Sequence, residues 1–389
     1  PAPPPPPSPA APPRVADPPH NPPNGTKASL SRLRHIGTMF GGMSSAPESI
    51  LLVANPTAQS GKNADRIGRG RALLDERGLR HRFKPTEPAG GTVEVVRSAL
   101  ADPDIHTVVY MGGDGTFAEV AKGILASGRA DEVRLGMLPT GTANDQGKSF
   151  GLESLEEHLE RNIEVIAAGR EARLDAGRLD ALDAGGRLLH RDHFFDSAGW
   201  GISPAILAVR NDDRELIQSI PILRDIYRDQ LVYVGAMFRT FLKTYIEDGK
   251  FGVRLRADGA EHHWTGLTDL VVKGTRIYGG LWVFDPESRP DDGLFEIFPF
   301  AGKRDWVSKA LVHLDPTGNV KDKLESIGVR HSEGAKGAKI ELEFEEQPGQ
   351  PLHAQIDGEE FPASPMVRIE VLPRALRLIV PAEFATDSG

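Results

Sequence analysis

Two glycine-rich segments of the chain contain the residue types that hold a phosphate group. The first, "GGDGT" at Gly112–Thr116, follows the apolar run "TVVYM" and precedes a helical pattern. The second, "PTGTAND" at 139–145, follows the apolar run "RLGML". Glycine lets the backbone approach a phosphate closely, and the N-terminus of a following helix offers unpaired N–H groups. Two such loops at neighbouring strand ends predict a nucleotide site at the carboxyl edge of a parallel sheet.

Asp114, in the middle of the first segment, puts a carboxylate where a phosphate is expected. A carboxylate repels a phosphate unless a cation lies between them, so Asp114 predicts Mg²⁺ bridging or a direct role with the transferred group. The alternative is a plain glycine-rich turn in which this aspartate N-caps the next helix. Thr116 and Glu119 have the spacing of a capping box, which predicts that the helix starts there.

The second segment runs into Gly147-Lys148-Ser149, which looks like the end of a Walker A phosphate loop. That motif needs a glycine, four residues and then Gly-Lys-Ser/Thr, because a loop of that length wraps its N–H groups around a phosphate. Thr142 stands where the first glycine is required, and the nearest glycine, Gly141, lies one position too early. The spacing therefore argues against a P-loop hydrolase.

Composition narrows the class of protein. A chain of 389 residues is long for a single core and predicts two domains. The absence of cysteine excludes disulfides, thiolate metal sites and cysteine nucleophiles. A net charge of −9 without a basic run argues against nucleic acid as a partner. No apolar run reaches the roughly 20 residues of a membrane span, so we expect a soluble or at most peripheral protein.

The pattern along the chain predicts where the domains lie. A proline-rich lead at 1–46 has almost nothing to bury and is expected to be disordered. Residues 47–153 alternate apolar runs with helical patterns, which predicts a doubly wound α/β domain with a parallel sheet. Residues 154–374 show many alternating strand patterns, with helices near 217–245 and 304–313, and predict a larger, mostly antiparallel β-sandwich. Whether the C-terminal tail, about 375–389, packs against the first domain is left open.

Six segments, taken in order, resemble the diacylglycerol kinase catalytic family, which includes sphingosine and bacterial lipid kinases. They are "ANPTAQSGK", "GGDGTFAEV", "PTGTANDQGKSFGL", "FFDSAGWGISPAI", "PDDGLFEI" and "IDGEEF", and the resemblance extends from Ile50 to Pro381. It implies a phosphotransferase with an alcohol group as acceptor, which uses ATP and Mg²⁺ to phosphorylate a lipid hydroxyl. It also implies a nucleotide domain like that of NAD kinases. Diacylglycerol is the default substrate, and a related lipid remains open.

The family's functional residues carry over to matching positions of this chain. The resemblance places nucleotide contacts at Asn55, Thr86, Gly112, Gly113, Gly115, Thr116, Gly141, Thr142, Asn144, Asp145 and Glu359. It implies metal ligands at Asp114 and at Asp357, which begins the late "DGE" motif. For the base that accepts the proton of the lipid hydroxyl, Asp292 is the first candidate and Glu296 the second. From the residues alone, Asp291-Asp292-Gly293 is better explained as an ordinary type I turn leading into a strand.

The chain departs from the family on the acceptor side. The family usually has an asparagine where this chain has Asp196, and an aspartate where it has Ser203. The usual triple glycine reads Gly279-Gly280-Leu281. These departures leave open a nucleotide- or lipid-binding protein without catalysis. A NAD kinase-like enzyme is the other alternative, because NAD kinases also have GGDGT, although their second loop usually reads N-E rather than N-D and they lack the D-G-L-F element.

The context implied by the resemblance is a cytoplasmic enzyme of lipid metabolism and phospholipid biosynthesis that makes peripheral contact with membrane. A homodimer is left open. One alternative metal cluster is His190, Asp192, His193 and Asp196, and another is Glu261-His262-His263. Both are weak candidates, because only alternate residues of a strand share a face.

Overall fold

The structure is a computed structural model that describes part of the chain. It covers residues 49–56, 63–141, 144–201, 250–278, 282–283, 285, 287–301, 334–345 and 352–385. The predictions for the proline-rich lead, for the helices near 217–245 and 304–313, and for Thr142, Ser203 and the Gly279 segment lie outside the described residues.

The first part of the described chain alternates strands with helices. The elements are β1 (Ile50–Ala54), α1 (Asn63–Glu76), β2 (His81–Pro85), α2 (Gly91–Ala99), β3 (Thr107–Gly112), α3 (Asp114–Ala126), β4 (Arg134–Pro139), α4 (Asp145–Ser149) and α5 (Leu159–Ala168). The strands pair in parallel in the order β2-β1-β3-β4. The predicted parallel α/β sheet is confirmed.

Both faces of this parallel sheet are buried along β1, β3 and β4, because these three strands are almost continuously apolar. Leu51 and Val53 of β1 belong to one apolar cluster with residues of α2 and α3. Leu52 belongs to a second cluster, on the other face, with residues of α1 and α5. Helices therefore lie on both sides of the sheet, as the doubly wound prediction requires.

The second part of the described chain is antiparallel. Its strands are β5 (Glu171–Leu182), β6 (Leu188–Phe194), β7 (Ser197–Gly201), β8 (Phe251–Ala257), β9 (Ala260–Leu267), β10 (Asp269–Lys273), β11 (Ile277–Tyr278), β12 (Trp282–Val283), β13 (Phe295–Phe300), β14 (Ala335–Gly337), β15 (Lys339–Phe344), β16 (Ala354–Ile356), β17 (Glu359–Phe361) and β18 (Met366–Ile379). A six-stranded sheet, β14-β13-β10-β7-β16-β17, shares one apolar cluster with β5, β8, β15 and β18. This arrangement is the predicted β-sandwich.

The long strand β18 belongs to both parts of the molecule. Its first half pairs antiparallel with β15, and near its end Arg377 and Leu378 pair in parallel with β4. Along its length β18 pairs with β5, with a bulge between Leu372 and Leu376. One ten-stranded sheet thus runs through the parallel and antiparallel parts.

One local prediction is wrong. The capping-box spacing of Thr116 and Glu119 put the start of the third helix at Thr116, whereas α3 begins at Asp114 with Gly113 as its N-cap residue. The N–H of Phe117 already donates to the Gly113 carbonyl at 3.0 Å, so helical hydrogen bonding begins before Thr116. Gly113 has no side chain to cap the helix, and Asp114 is therefore not its N-cap either.

Among the described residues, no helix combines the length and apolar character that crossing a bilayer requires.

Candidate functional site

The residues predicted to bind nucleotide lie at the carboxyl edge of the parallel sheet. Asn55 follows β1 and Thr86 follows β2, and the N–H of Thr86 donates to the Ala54 carbonyl at 2.9 Å. The N–H of Thr140, after β4, donates to the Gly112 carbonyl at the end of β3 at 2.7 Å. Four neighbouring strands therefore end at one edge, which is where open α/β sheets bind their ligands.

The two glycine-rich loops touch each other closely. A Cβ atom built on Gly141 would lie 2.5 Å from the Cα of Gly113, a distance that real Cβ contacts do not reach. A Cβ on Gly112 would lie 2.4 Å from the Thr116 hydroxyl, which folds over the end of β3. The missing side chains thus let backbone meet backbone, and the two loops are in direct contact rather than two separate turns.

Asn144 holds the second loop in shape. Its backbone is left-handed, with φ 54° and ψ 49°, a conformation that asparagine tolerates better than most residues. Its side chain accepts the Gly141 N–H at 3.0 Å and donates to the Gly141 carbonyl at 2.6 Å. Its own N–H donates to the Asp114 carboxylate at 2.8 Å, so the second loop is also tied to the first.

Asp114 lies at the point where the two loops meet. Its Oδ2 accepts the Asn144 N–H at the start of α4, while its Oδ1 is buried and has no hydrogen-bond partner among the described residues. Burial raises the pKa of Asp114, the nearby Asp196 carboxylate raises it further, and N–H groups at the start of α4 oppose the shift. Asp145, the first residue of α4, is itself buried.

The residues at Asp114 suit a magnesium ion. A buried carboxylate oxygen without a protein partner, beside a phosphate-type loop, is the ligand that this ion prefers. Within the described parts of the chain, no three His, Asp or Glu side chains converge as a protein-only metal site. Magnesium commonly keeps several waters and takes further oxygens from the phosphates of its substrate.

The late "DGE" motif is a tight hairpin turn that reaches back to the first loop. Asp357 and Gly358 both have positive φ, 47° and 80°, between β16 and β17. Glu359, the next residue, brings its Oε1 within 3.2 Å of where a Cβ on Gly115 would lie. A side chain at position 115 would therefore press on Glu359, which the structure brings to the N-terminus of α3.

Asp357, the second predicted metal ligand, is buried and bound to backbone. Its carboxylate accepts the N–H groups of Phe195, Asp196 and Ser197 at 2.8 to 3.1 Å. Burial and the neighbouring Asp196 raise its pKa to about 7, and these N–H groups oppose the rise. The metal role of Asp357 stays a prediction, and the contacts add a structural role.

The two candidate bases, Asp292 and Glu296, lie in a separate group around Lys336. The ammonium of Lys336 is 2.9 Å from Asp292 Oδ2 and 3.0 Å from Glu296 Oε1. Asp292 Oδ1 accepts the Leu294 N–H at 3.1 Å, so each oxygen of this carboxylate already has a partner. Burial raises the pKa of Glu296, and Lys336 opposes this. No hydrogen bond or ion pair in the described residues joins this group to Asp114.

Sequence reasoning missed Asp175, which anchors the turn that carries Asp292. Its carboxylate accepts the N–H of Gly293 and the N–H of Arg374, in the β18 bulge, both at 2.6 Å. Burial, with a smaller effect from Asp292 and Asp291, raises its pKa to about 6. The run "ARLDAGRLD" around it predicts an ordinary strand. The one sign of a special role for Asp175 is that an acidic residue occupies a buried position of that strand.

Three other contacts also lacked a signal in the sequence. Gln146 of α4 donates to the Phe195 carbonyl at 2.7 Å. Lys273 lies 3.0 Å from Asp196, and both side chains are buried. Asp192, part of a weak metal cluster in the sequence, instead pairs with Lys122 at 2.7 Å. Neither histidine-containing cluster forms a metal site in the described residues.

The fold and the site together define a class of protein. A parallel α/β sheet carries two glycine-rich loops in contact with each other and the buried Asp114 carboxylate. The β-sandwich contributes the hairpin with Glu359, which lies beside the first of these loops. This is a two-part fold with a site suited to a nucleotide phosphate.

Comparisons with known proteins then supply the family. Residues 49–179 match the family described as "Diacylglycerol kinase catalytic domain", and residues 224–380 match the "YegS C-terminal NAD kinase beta sandwich-like domain". Together these matches span most of the chain. The chain belongs to the diacylglycerol kinase catalytic-domain family, so the predicted resemblance is confirmed.

Individual relatives agree with this assignment. A protein of Xanthomonas axonopodis pv. citri named "Probable lipid kinase YegS-like" is 28% identical over 88% of this chain and 100% of its own length. One of Pseudomonas aeruginosa with the same name is 28% identical, over 80% of this chain and 88% of its own. The crystal structure of a diacylglycerol kinase from Bacillus anthracis is similar with a TM-score of 0.60. It covers 86% of this chain and 98% of its own at 19% identity, and it supports the fold alone.

Proposed function

We propose that this protein is a lipid kinase that transfers the γ-phosphate of ATP to the hydroxyl of diacylglycerol or a similar neutral lipid. The observation that carries the proposal is the Asp114 carboxylate at the junction of the two glycine-rich loops, with one buried oxygen that has no partner in the described residues. The names of the relatives support the substrate class.

The loops would bind the nucleotide through their backbone. We assign the phosphates to the surface formed by Gly112, Gly113, Gly115 and Gly141, with Thr116 at the N-terminus of α3. Helix N-terminal N–H groups and the positive end of the helix dipole stabilise the phosphate charge. Asn55, Thr86 and Glu359 border the same surface, and Thr142 belongs to the assigned set although it lies outside the described residues.

In the proposed reaction the lipid oxygen forms a bond to the γ-phosphorus while the bond from that phosphorus to the bridging oxygen breaks. ADP leaves with the electron pair, and the hydroxyl proton passes to a carboxylate. When bound, Mg²⁺ would neutralise charge on the phosphate oxygens. Asp114 would bind this ion, and Asp357 would stabilise the neighbouring backbone through its hydrogen bonds. Most of the acceleration comes from in-line placement and charge neutralisation.

The base that accepts the proton is proposed to be Asp292, with Glu296 as the second candidate. Lys336 lies between these two side chains and forms an ion pair with each, so the three side chains form a single group. Asp114, with a buried oxygen that lacks a partner, is the competing candidate. The three roles are separable by experiment, because in the described part of the chain Asp114 contacts the second nucleotide loop whereas Asp292 and Glu296 contact Lys336.

The test of the function is transfer of labelled γ-phosphate from Mg·ATP to a panel of neutral lipids in mixed micelles. The parent protein is compared with Asp114→Asn and with Asp131→Asn, whose side chain is 92% exposed. We expect one lipid class to be labelled by the parent and by Asp131→Asn, and by Asp114→Asn only weakly. ATP binding without transfer to any lipid would overturn the proposal and favour a binding protein.

Peripheral contact with a membrane and a cytoplasmic location are part of the same proposal. A lipid with two acyl chains resides in a bilayer, so the enzyme must reach it at the surface. Sedimentation of the protein with vesicles that contain diacylglycerol, compared with vesicles that lack it, tests this contact.

A further inference from the structure

Lys273, at the end of β10, is a fully buried lysine paired with Asp196. Its Nζ lies 3.0 Å from Asp196 Oδ1 and 3.1 Å from the Thr275 hydroxyl, which also donates to Asp196. Only 1% of Lys273 and 6% of Asp196 is exposed. A buried ammonium is costly unless acceptors surround it, so this position requires its partners.

Asp196 belongs to the proposed phosphate site. Its charge raises the pKa of both Asp114 and Asp357, and its N–H donates to the Asp357 carboxylate at 2.8 Å. This is also the position at which the family usually has a neutral asparagine. An unpaired carboxylate here would add negative charge beside the phosphates, whereas the Asp196–Lys273 pair is neutral.

The same ammonium also contacts β11. Nζ donates to the Ile277 carbonyl and lies 5.7 Å from the centre of the Tyr278 ring, a cation–π distance. Ile277 and Tyr278 form β11, directly before the Gly279-Gly280 segment that the family resemblance connects with the acceptor pocket. Lys273 therefore ties β11 to Asp196, and the resemblance implies that the chain after β11 leads to the acceptor pocket.

Strand β11 is also bound to the second nucleotide loop. The N–H of Ile277 donates to the hydroxyl of Ser149, the last residue of α4, at 3.3 Å. At the other end of α4, Gln146 donates to the carbonyl of Phe195, the neighbour of Asp196 in the chain. The contacts thus form a closed path from Asp196 through Lys273, β11 and α4 back to Phe195.

We propose that Lys273 is a positioning residue for phosphoryl transfer, which neutralises Asp196 and holds β11 against α4 so that the lipid hydroxyl meets the phosphate site. This inference rests on the proposed lipid kinase function. It explains why this chain has Asp196 where the family usually has asparagine: the carboxylate forms an ion pair with Lys273 and is not a new metal ligand.

The experiment compares four proteins: the parent, Lys273→Met, the double variant Asp196→Asn with Lys273→Met, and the control Lys339→Met. Methionine keeps the length of lysine without its charge or donors, and Lys339 is exposed on β15. Each protein is measured for kcat and KM toward the lipid, for ATP affinity by calorimetry, and for hydrogen exchange of the Ile277 amide.

For Lys273→Met we expect kcat/KM toward the lipid to fall roughly tenfold to a hundredfold, because the acceptor is misplaced. ATP affinity stays near that of the parent, and the Ile277 amide exchanges faster. The double variant removes both charges, so it should unfold at a higher temperature than Lys273→Met. It lacks the contact to Ile277, however, so its low kcat/KM and fast exchange should persist.

Two results would overturn the inference. One is parental kcat/KM and parental Ile277 exchange in the double variant, which would mean that the contact to β11 positions nothing. The other is an equal loss of ATP affinity and lipid kcat/KM in Lys273→Met, which a merely structural role predicts. If the parent phosphorylates no lipid, the proposed function fails, and the exchange of Ile277 still decides whether Lys273 holds β11 against α4.

Discussion

Single carboxylates in this protein differ sharply in what surrounds them, and that difference ranks the candidates for catalysis. Asp114 has one oxygen bonded to the second loop and one buried oxygen without a partner among the described residues. Asp292 has a partner on each oxygen, Leu294 and Lys336. A metal ligand needs an oxygen lone pair that no protein group occupies, and Asp114 has the clearer one, so it is the stronger candidate for the metal while Asp292 stays the first candidate for the base.

Asp114→Asn and Asp292→Asn separate the two roles. We expect Asp114→Asn to lower kcat by roughly a hundredfold or more, the range of a lost acid–base or charge-stabilising group, with the optimum shifted to higher Mg²⁺. If Asp292 is the base, Asp292→Asn lowers kcat by a similar factor at an unchanged Mg²⁺ optimum. Steady-state kinetics at several Mg²⁺ concentrations distinguish these results. Full activity of Asp292→Asn would remove it as the base.

Asp175 should make stability depend on pH. Its pKa is raised to about 6 in the folded protein, against 3.8 ordinarily, because burial disfavours the charged form. The folded protein therefore binds this proton more tightly, so the contribution of Asp175 is fully present below about pH 4 and is lost as the pH rises through 6. Asp291 and Asp292 face this carboxylate and act in the same direction.

Unfolding free energies of the parent and Asp175→Asn, measured from pH 4 to pH 7, test this assignment. Asparagine offers one acceptor for two N–H groups, so the variant should be less stable by about 1–3 kcal/mol. The difference between the two proteins should shrink as the pH rises through 6. A difference that stays constant over this range would show that Asp175 does not titrate there.

At the scale of elements, close approach of the two loops explains the glycines. Gly141→Ala would put a Cβ 2.5 Å from the Gly113 backbone, and a backbone atom cannot swing aside as a side chain can. The loops must therefore separate, and we expect ATP binding to weaken by at least about tenfold, because a phosphate surface built from both loops is lost. Calorimetric titration with Mg·ATP measures this change.

Gly68→Ala is the matched control for the loop variant. Gly68 is exposed on α1 and no atom lies within 4 Å of a Cβ built there. Alanine is the better helix former, so this control should be more stable by roughly 0.5–1 kcal/mol with unchanged ATP binding. Parental ATP affinity in Gly141→Ala would mean that the loops do not form a joint surface.

The elements also show where sequence reasoning succeeds and where it stops. The strands β1 and β3 are short apolar runs followed by asparagine and glycine, and such local signals are readable without a structure. The start of α3 was misplaced because a capping-box spacing competed with a glycine N-cap that leaves no side-chain signal. The pairs Asp196–Lys273 and Asp292–Lys336 join residues far apart in the chain, and no local pattern encodes them.

At the scale of the whole molecule, β18 joins the α/β part to the sandwich within one sheet. Val367 and Ile369 at its start belong to the apolar cluster of the sandwich, while Leu376 and Leu378 near its end belong to the cluster of the α/β part. Arg377 adds a bidentate pair with Glu171 of β5 at 2.8 and 3.0 Å. A strand shared by two cores couples their stabilities, and we expect the two parts to unfold together.

Leu378→Ala tests this coupling. Leu378 is fully buried in the α/β cluster, so its truncation should cost about 2–5 kcal/mol. All four tryptophans, at positions 200, 264, 282 and 306, lie outside the predicted α/β range of 47–153. Their fluorescence therefore reports on the rest of the chain, and hydrogen exchange of β1 and β3 reports on the parallel sheet. If the parts are coupled, both transitions move to lower denaturant by the same amount. An unchanged tryptophan transition beside a destabilised parallel sheet would show two independent units, and the lipid and nucleotide sites would then not share a rigid frame.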